Sequence, residues 1–126
     1  MIEIYVASTC INRTNMGGWG IVLIEEEQLP KKYKGGEQSA THQQMALKGA
    51  IEGLSKTEQD CEAKILTNNE YLVLGINDSR RREKNRDLWG QLEELLGRRH
   101  IEAKQISSKD KWLKEAQELA KEGAGG

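Results

Sequence analysis

Alternating and continuous apolar runs predict five β-strands along this chain. They lie at residues 2–7, 19–24, 31–36, 63–67 and 101–106. Short links join the first three strands, which favours antiparallel hairpins. The fourth and fifth strands each follow a helical stretch, which is typical of parallel strands joined by crossovers.

Helical periodicity fills the intervals around the later strands. Thr41 is predicted to cap a helix that carries Leu47, Ala50, Ile51 and Leu54 at helical spacing. Further helices are expected at 71–77, 87–96 and 112–120. Strands one and four then lie side by side in parallel. The pattern predicts an α/β fold, in which a mixed five-stranded sheet of three antiparallel and then two parallel strands is flanked by helices.

The length of 126 residues is that of one domain with a sizeable core. We expect the domain to span residues 1–122. The last four residues, Gly-Ala-Gly-Gly, are expected to form a flexible tail over 123–126.

Composition excludes some classes of protein. Charged residues make up 31% of the chain and leave a net charge of -1, which argues against a strongly basic nucleic-acid binder, although local patches still matter. No apolar run predicts a membrane span, and no secretory leader is visible. Cys10 and Cys61 fit no metal spacing, so we expect free thiols in a reducing, cytoplasmic setting.

Short motifs follow one another along the chain in a recognisable order. They include Gly17-Gly18-Trp19-Gly20, Thr41-His42-Gln43-Gln44-Met45, Leu66-Thr67-Asn68-Asn69-Glu70-Tyr71, Asn85-Arg86-Asp87-Leu88-Trp89 and Glu118-Leu119-Ala120. In order, spacing and placement on the predicted elements, the chain resembles the ribonuclease H type 1 family over nearly its whole length. The resemblance implies a ribonuclease H-like fold and hydrolysis of the RNA strand of an RNA–DNA hybrid. It also implies two magnesium or manganese ions held by four carboxylates.

The four positions that match the carboxylates of the family carry other side chains here. They are Ala7, Ala46, Asn68 and Gln117. Magnesium prefers charged oxygen ligands, so the metal site is predicted to be lost and no cofactor is expected. The nearby acids are better explained as solvated charges; they are Glu52, Glu70, Asp110, Glu115 and Glu118. We therefore expect a protein that is not an enzyme and whose fold is stable without divalent metal.

Nucleic-acid contacts are also implied by the resemblance. The loop after strand one and the start of the first long helix touch the hybrid in the family. The matching positions are Cys10, Arg13, Thr41, His42, Gln43 and Asn69. Arg80, Arg81 and Arg82 form a basic run that can hold phosphates through charge. A helix cap with polar surface, and a solvated loop, are the alternative interpretations of these two regions.

Three hypotheses follow from the sequence. The leading one is a catalytically inactive domain that binds RNA–DNA hybrid or double-stranded RNA without cleavage. A protein-interaction or self-dimerisation module on the same scaffold is the first alternative. The second is a residual metal-dependent hybrid ribonuclease.

Overall fold

The structure is a computed structural model that describes residues 1–125. Its strands are β1 Ile2–Ile11, β2 Met16–Ile24, β3 Lys31–Gln38, β4 Glu62–Thr67 and β5 His100–Gln105. Its helices are α1 His42–Ser55, α2 Glu70–Asn77, α3 Arg86–Leu96 and α4 Lys111–Gly123, with a 3-10 turn at Ser79–Arg81. Within residues 1–125, none of the helices combines the length and apolar character that crossing a bilayer requires.

The strands form a single sheet in the order β3-β2-β1-β4-β5. β1 pairs antiparallel with β2 and parallel with β4. β2 pairs antiparallel with β3, and β4 pairs parallel with β5. The predicted mixed sheet is therefore confirmed, including the parallel contact between the first and fourth strands.

Alternation along β1 divides the core between the two faces of the sheet. Ile4 and Val6 are fully buried in the cluster that contains the apolar residues of α1, α2 and α3. Tyr5 and Ala7 belong to a separate cluster beneath α4. Because successive side chains of a strand point to opposite faces, three helices cover one face and α4 covers the other.

Glycines set the distance between α4 and the sheet. A Cβ atom at Gly18 would lie 2.1 Å from the carbonyl oxygen of Ala120, and one at Gly20 would lie 2.2 Å from that of Ala116. Only glycine allows the helix backbone to approach the strand this closely. Gly18 and Gly20 of β2 thus set how closely the α4 backbone, and the side chains it carries, approach the sheet.

The β1–β2 hairpin is longer than the sequence pattern predicts. The first two strands are predicted at 2–7 and 19–24, but β1 continues to Ile11 and β2 begins at Met16. Gly17 and Gly18 pair with Cys10 and Thr9. These glycines serve close packing within a strand, and the expectation that they lie in the link between the strands is wrong.

The C-terminal segment also differs from the expected flexible tail. Gly123 is the last residue of α4, and Ala124 is only 3% exposed. The Ala124 amide donates to the Ala120 carbonyl at 3.0 Å. Ala124 covers the space left open by Gly18, which explains its burial. Gly126 lies outside the described residues.

Candidate nucleic-acid interface

The carboxyl ends of β1 and β4 meet at one edge of the sheet. Tyr5 pairs with Leu66, so Ala7 and Asn68 each follow this pair by two residues on neighbouring parallel strands. In open α/β sheets, ligands bind beyond this end of the strands. This register, which follows from the predicted parallel pairing of strands one and four, places Ala7 and Asn68 at the same edge of the sheet.

The four positions matched to carboxylates fall into two groups. Ala7 and Ala46 are 2% and 1% exposed and belong to the apolar core on opposite faces of the sheet. Asn68 is exposed and Gln117 is half-buried, and both line the same cavity. The structure therefore brings two neutral amides together at the surface, while the two alanines lie in the core and do not line the cavity.

That cavity, which we call the strand-end pocket, has a volume of about 380 Å³. Eight residues from β1, α1, the β4–α2 junction and α4 line it: Ser8, Thr9, His42, Gln43, Asn68, Asn69, Gln117 and Lys121. All eight side chains carry a hydrogen-bonding group, and none is a carboxylate. The pocket is thus polar, and its lining is neutral or positive.

The start of α1 is fixed by a capping box. The Gln44 amide donates to the Thr41 hydroxyl at 3.1 Å, and the Thr41 amide donates to Gln44 Oε1 at 3.0 Å. This confirms Thr41 as the N-cap of the helix. Its hydroxyl already serves the helix, so it contributes to the interface chiefly by positioning His42 and Gln43.

The starts of α1 and α2 are joined by side-chain amides. Asn69 Nδ2 donates to Gln43 Oε1 at 2.9 Å, while Asn69 Oδ1 accepts from the Leu72 amide at 2.9 Å. The Asn69 amide also donates to the Thr67 hydroxyl at 3.1 Å. Asn69 therefore acts as the N-cap of α2 and holds Gln43 in place beside the pocket.

Cys10 and Arg13 lie beyond the pocket along the β1–β2 hairpin. The Cys10 thiol donates to the Ala40 carbonyl at 3.1 Å, and burial raises the pKa of this thiol above its ordinary value. Cys10 is thus held against the β3–α1 link and does not line the pocket. Arg13 is exposed in the hairpin turn. Both cysteines are free thiols, as expected.

The three arginines of the basic run have different surroundings. Arg80 is 89% exposed and pairs with Asp78 at 3.1 Å, which lowers the pKa of the Asp78 carboxyl. Arg81 is exposed. The Arg82 side chain is only 13% exposed; its Nε donates to the Gly75 carbonyl at 2.7 Å and its guanidinium lies over Trp89. Arg82 therefore packs against the fold.

The basic run is separate from the strand-end pocket. α2 begins beside the pocket and has eight residues. At about 1.5 Å per helical residue, its far end lies roughly 12 Å from its start. The arginines follow that far end, so they would meet a different part of an extended ligand.

The residues present do not fit a pair of magnesium ions. Among residues 1–125, no group of three or more His, Cys, Asp or Glu is arranged to hold a metal. Three of the nearby glutamates are in ion pairs with lysines. The pairs are Glu115 with Lys32 at 2.6 Å, Glu52 with Lys56 at 3.7 Å and Glu118 with Lys121 at 3.4 Å. Asp110 accepts from the Trp112 and Leu113 amides at the start of α4. Glu70, exposed in the first turn of α2, would be a single ligand.

Comparison with known proteins identifies the family. A family model for RNase H matches residues 1–124. The chain belongs to the ribonuclease H family. The predicted type 1 resemblance is therefore confirmed.

Curated relatives and solved structures agree with this ribonuclease H assignment. Ribonuclease H of Pseudomonas putida strain W619 is 32% identical, over 79% of this chain and 76% of the relative. Ribonuclease H of Stutzerimonas stutzeri strain A1501 is also 32% identical, over 79% and 74%. The crystal structure of LC11-RNase H1 in complex with RNA/DNA hybrid has a TM-score of 0.80 at 16% identity, covering 99% of this chain and 97% of that one. At 16% identity, the similarity to LC11-RNase H1 shows a shared fold.

The expectation that the chain is not an enzyme is wrong. Its curated relatives are named Ribonuclease H, and the family whose model it matches is a family of hydrolases. The expectation came from four side chains alone. Membership of the family rests on nearly the whole chain and outweighs them.

Three residues that line the pocket are not among the site residues predicted from the sequence. Ser8 and Thr9 follow the strand-end position Ala7, and Lys121 lies four residues after Gln117. Residues four apart share a face of a helix, so Lys121 could have been placed beside Gln117 from spacing alone. The signal was present in the sequence, but it needed the end of α4 to be helical.

Proposed function

We propose that this ribonuclease H-family domain binds RNA–DNA hybrid across the strand-end pocket and the surfaces beside it. The observation that carries the proposal is the pocket itself, which gathers hydroxyl, amide and basic groups where open α/β sheets bind ligands. Support also comes from LC11-RNase H1, a protein of the same fold whose structure is a complex with RNA/DNA hybrid.

The chemistry of the pocket suits the backbone of a nucleic acid. Side-chain amides and hydroxyls such as those of Asn68 and Thr9 can donate to phosphate oxygens and to 2′-hydroxyls. Such contacts position a duplex without reading its bases. Arg13, Arg80 and Arg81 are exposed and supply charge for phosphates farther along the duplex. Arg82 is excluded from this role because it packs against Trp89.

Fluorescence anisotropy with a labelled RNA–DNA hybrid tests the proposal. We expect saturable binding that weakens as salt rises, because neutralised phosphates release counterions. Unlabelled double-stranded RNA and DNA compete in parallel titrations and rank the three duplexes. Absence of saturable, salt-sensitive binding to the hybrid at micromolar protein would refute the proposal.

A matched pair of variants separates the interface from general charge. Arg13→Glu changes the hairpin beside the pocket. Lys31→Glu makes the same charge change at the start of β3, which pairs with Leu23 near the opposite end of the sheet. We expect the first to weaken hybrid binding and the second to leave it nearly unchanged. Equal losses in both would indicate binding by overall charge.

Hydrolysis of the hybrid is the second candidate function, and the observation that favours it is membership of a hydrolase family. The pocket supplies no carboxylate for the metals of the family reaction, so no step is assigned to its residues. The assay is incubation of labelled hybrid with magnesium or manganese, followed by denaturing electrophoresis. Metal-dependent cleavage of the RNA strand, beyond that of mock-purified protein, would establish it.

A protein-interaction or dimerisation role has little support from the surface. The large apolar side chains exposed within residues 1–125 are Met1 before β1, Leu29 in the β2–β3 link and Leu74 on α2. Single exposed apolar side chains are ordinary on a protein surface. Light scattering over a range of concentrations tests self-association. The cytoplasmic location stays a prediction, for which two free thiols are the support.

A further inference from the structure

The strand-end pocket differs from four other cavities on this protein in having no carboxylate in its lining. Asp and Glu make up 20 of the 126 residues, yet none lines this pocket. Four other cavities each have at least one glutamate in their lining, such as Glu62, Glu93, Glu58 and Glu26. One of these, at the amino end of β4, is slightly larger at about 420 Å³ and carries two glutamates. Like charges repel, so the glutamates disfavour an anion in these four cavities, whereas no carboxylate in the lining opposes one in the strand-end pocket.

Lys121 supplies the fixed positive charge of the pocket. It lies on the last turn of α4, whose distance from the sheet is set by the β2 glycines. Its Nζ contacts Glu118 Oε1 at 3.4 Å, with both side chains more than half exposed. An exposed pair of this kind contributes only about 0–1 kcal/mol, so a phosphate can compete for the ammonium group.

The pocket has room for an anion together with some of its water. Its volume of about 380 Å³ equals the share of roughly a dozen water molecules at ~30 Å³ each. Ser8, Thr9, Asn68 and Gln117 offer hydroxyl and amide donors around that volume. A phosphate group needs several donors at once, and this lining provides them from three separate elements.

We propose that the strand-end pocket binds a backbone phosphate of the nucleic acid directly, on Lys121 and the surrounding amides and hydroxyls, without a divalent metal. The proposal rests on the proposed hybrid binding and specifies how one phosphate is held. Four carboxylates at this place would repel a phosphate unless metal ions lay between them. Asn68 and Gln117 are neutral, as are Ala7 and Ala46 in the core, so that repulsion is absent.

Hybrid titrations in EDTA and in magnesium test this directly. We expect the wild-type affinity to change by less than about threefold between the two, apart from ordinary ionic screening. Lys121→Glu should weaken binding about tenfold or more in both conditions, as expected for losing a hydrogen bond to a charged group. Lys31→Glu is the control with the same charge change away from the pocket. Circular dichroism verifies that both variants fold.

A double variant reverses the charge of the pocket without changing its size greatly. Asn68→Asp with Gln117→Glu places two carboxylates where the two amides now lie. We expect binding in EDTA to fall by about tenfold or more, because the new charges repel the phosphate. Magnesium should restore part of the loss in this variant only. Equal affinity of the wild type and the double variant in EDTA would overturn the inference.

Inorganic phosphate gives a readout that does not depend on the hybrid. In ¹H–¹⁵N spectra, phosphate at tens of millimolar should shift the amides of Ser8, Thr9 and Asn68, and Lys121→Gln should reduce those shifts. Sodium chloride of equal ionic strength is the control. Absence of phosphate-specific shifts would overturn the phosphate pocket even if the hybrid binds. Phosphate-specific shifts without any hybrid binding would uphold the pocket and refute the proposed function.

Discussion

Replacing Gly20 by alanine should lift α4 from the sheet and disturb both stability and binding. The new Cβ would lie 2.2 Å from the Ala116 carbonyl oxygen and 2.6 Å from the Ala120 amide nitrogen. An ordinary carbon–oxygen contact is about 3.3 Å, so the helix must move by about 1 Å. Because the clashing atoms are backbone, no side-chain rotation can relieve the contact.

The expected loss follows from the packing beneath α4. Leu113, Ala116 and Ala120 are each 0% exposed, so a shift of the helix opens their contacts with the sheet. Overpacking of a well-packed core costs about 1–3 kcal/mol, and we expect Gly20→Ala to lie near the upper end. Hybrid affinity should fall severalfold as well, because Gln117 and Lys121 move with the helix.

Urea unfolding followed by tryptophan fluorescence measures the change in the free energy of unfolding. Gly90→Ala is the matched control, since a Cβ there meets nothing within 4 Å on exposed helix α3. It should raise stability by about 0.5–1 kcal/mol and leave binding unchanged. A Gly20→Ala protein with wild-type stability and affinity would refute the close-packing account of α4.

Three further predictions concern groups outside the pocket. Tyr71→Phe removes a hydroxyl that accepts from Trp89 Nε1 at 2.8 Å and donates to the Lys84 carbonyl at 2.8 Å. It should lower the free energy of unfolding by about 1–3 kcal/mol in urea titrations, and an unchanged value would contradict the network. Arg99→Met removes donors to the Thr57 hydroxyl and carbonyl, both at 2.7 Å. This variant should lower the free energy of unfolding by about 2 kcal/mol, and by less when Thr57 is already valine. Strict additivity of the two substitutions in a double-mutant cycle would contradict the contact between Arg99 and Thr57. Burial raises the pKa of Cys10, so less of this thiol is present as thiolate at about pH 8. The rate at which iodoacetamide alkylates Cys10 should therefore rise only at higher pH. Iodoacetamide should therefore alkylate Cys10 in a Cys61→Ser protein more slowly than it alkylates glutathione, and a rate equal to that of glutathione would contradict the burial.

Local pattern predicts much of this fold because the two faces of the sheet are distinct. β1 alternates between the α1 side and the α4 side, and its parallel contact with β4 follows from a right-handed crossover. The capping signal at Thr41 is equally local, since hydroxyl and amide lie within one helical turn. The alternation and the cap depend on neighbours in sequence, and the β1–β4 contact follows from a general rule of chain connection, so the sequence predicts all three.

The errors arise where tertiary packing overrides local propensity. Gly17 and Gly18 have the composition of a turn, but they are strand residues: Gly17 faces Met45 of α1, and α4 lies over Gly18. Gly123 and Ala124 have the composition of a frayed end, but Gly123 ends α4 against Gly35 and Gly36 of β3, and Ala124 packs on Gly18. The absence of a side chain on one element is explained only by the backbone of another, which is distant in sequence.

The site residues likewise divide into those that the sequence predicted and those that it did not. Asn68 and Gln117 were identified through the family resemblance, and both line the strand-end pocket. Lys121 was missed because the chain was expected to fray soon after it. Arg82 was expected to bind phosphate, but its side chain is 13% exposed and lies over Trp89. Charge in a sequence shows neither which way a side chain turns nor what it packs against.

Amide chemical-shift mapping with a short RNA–DNA hybrid tests the central claim most directly. We predict shifts concentrated at Ser8, Thr9, His42, Asn68 and Lys121, with little change at Glu62 and His100, which line a cavity at the amino ends of β4 and β5. Shifts that are absent, or that concentrate around Glu62 and His100, would contradict the assignment of the strand-end pocket as the hybrid-binding surface.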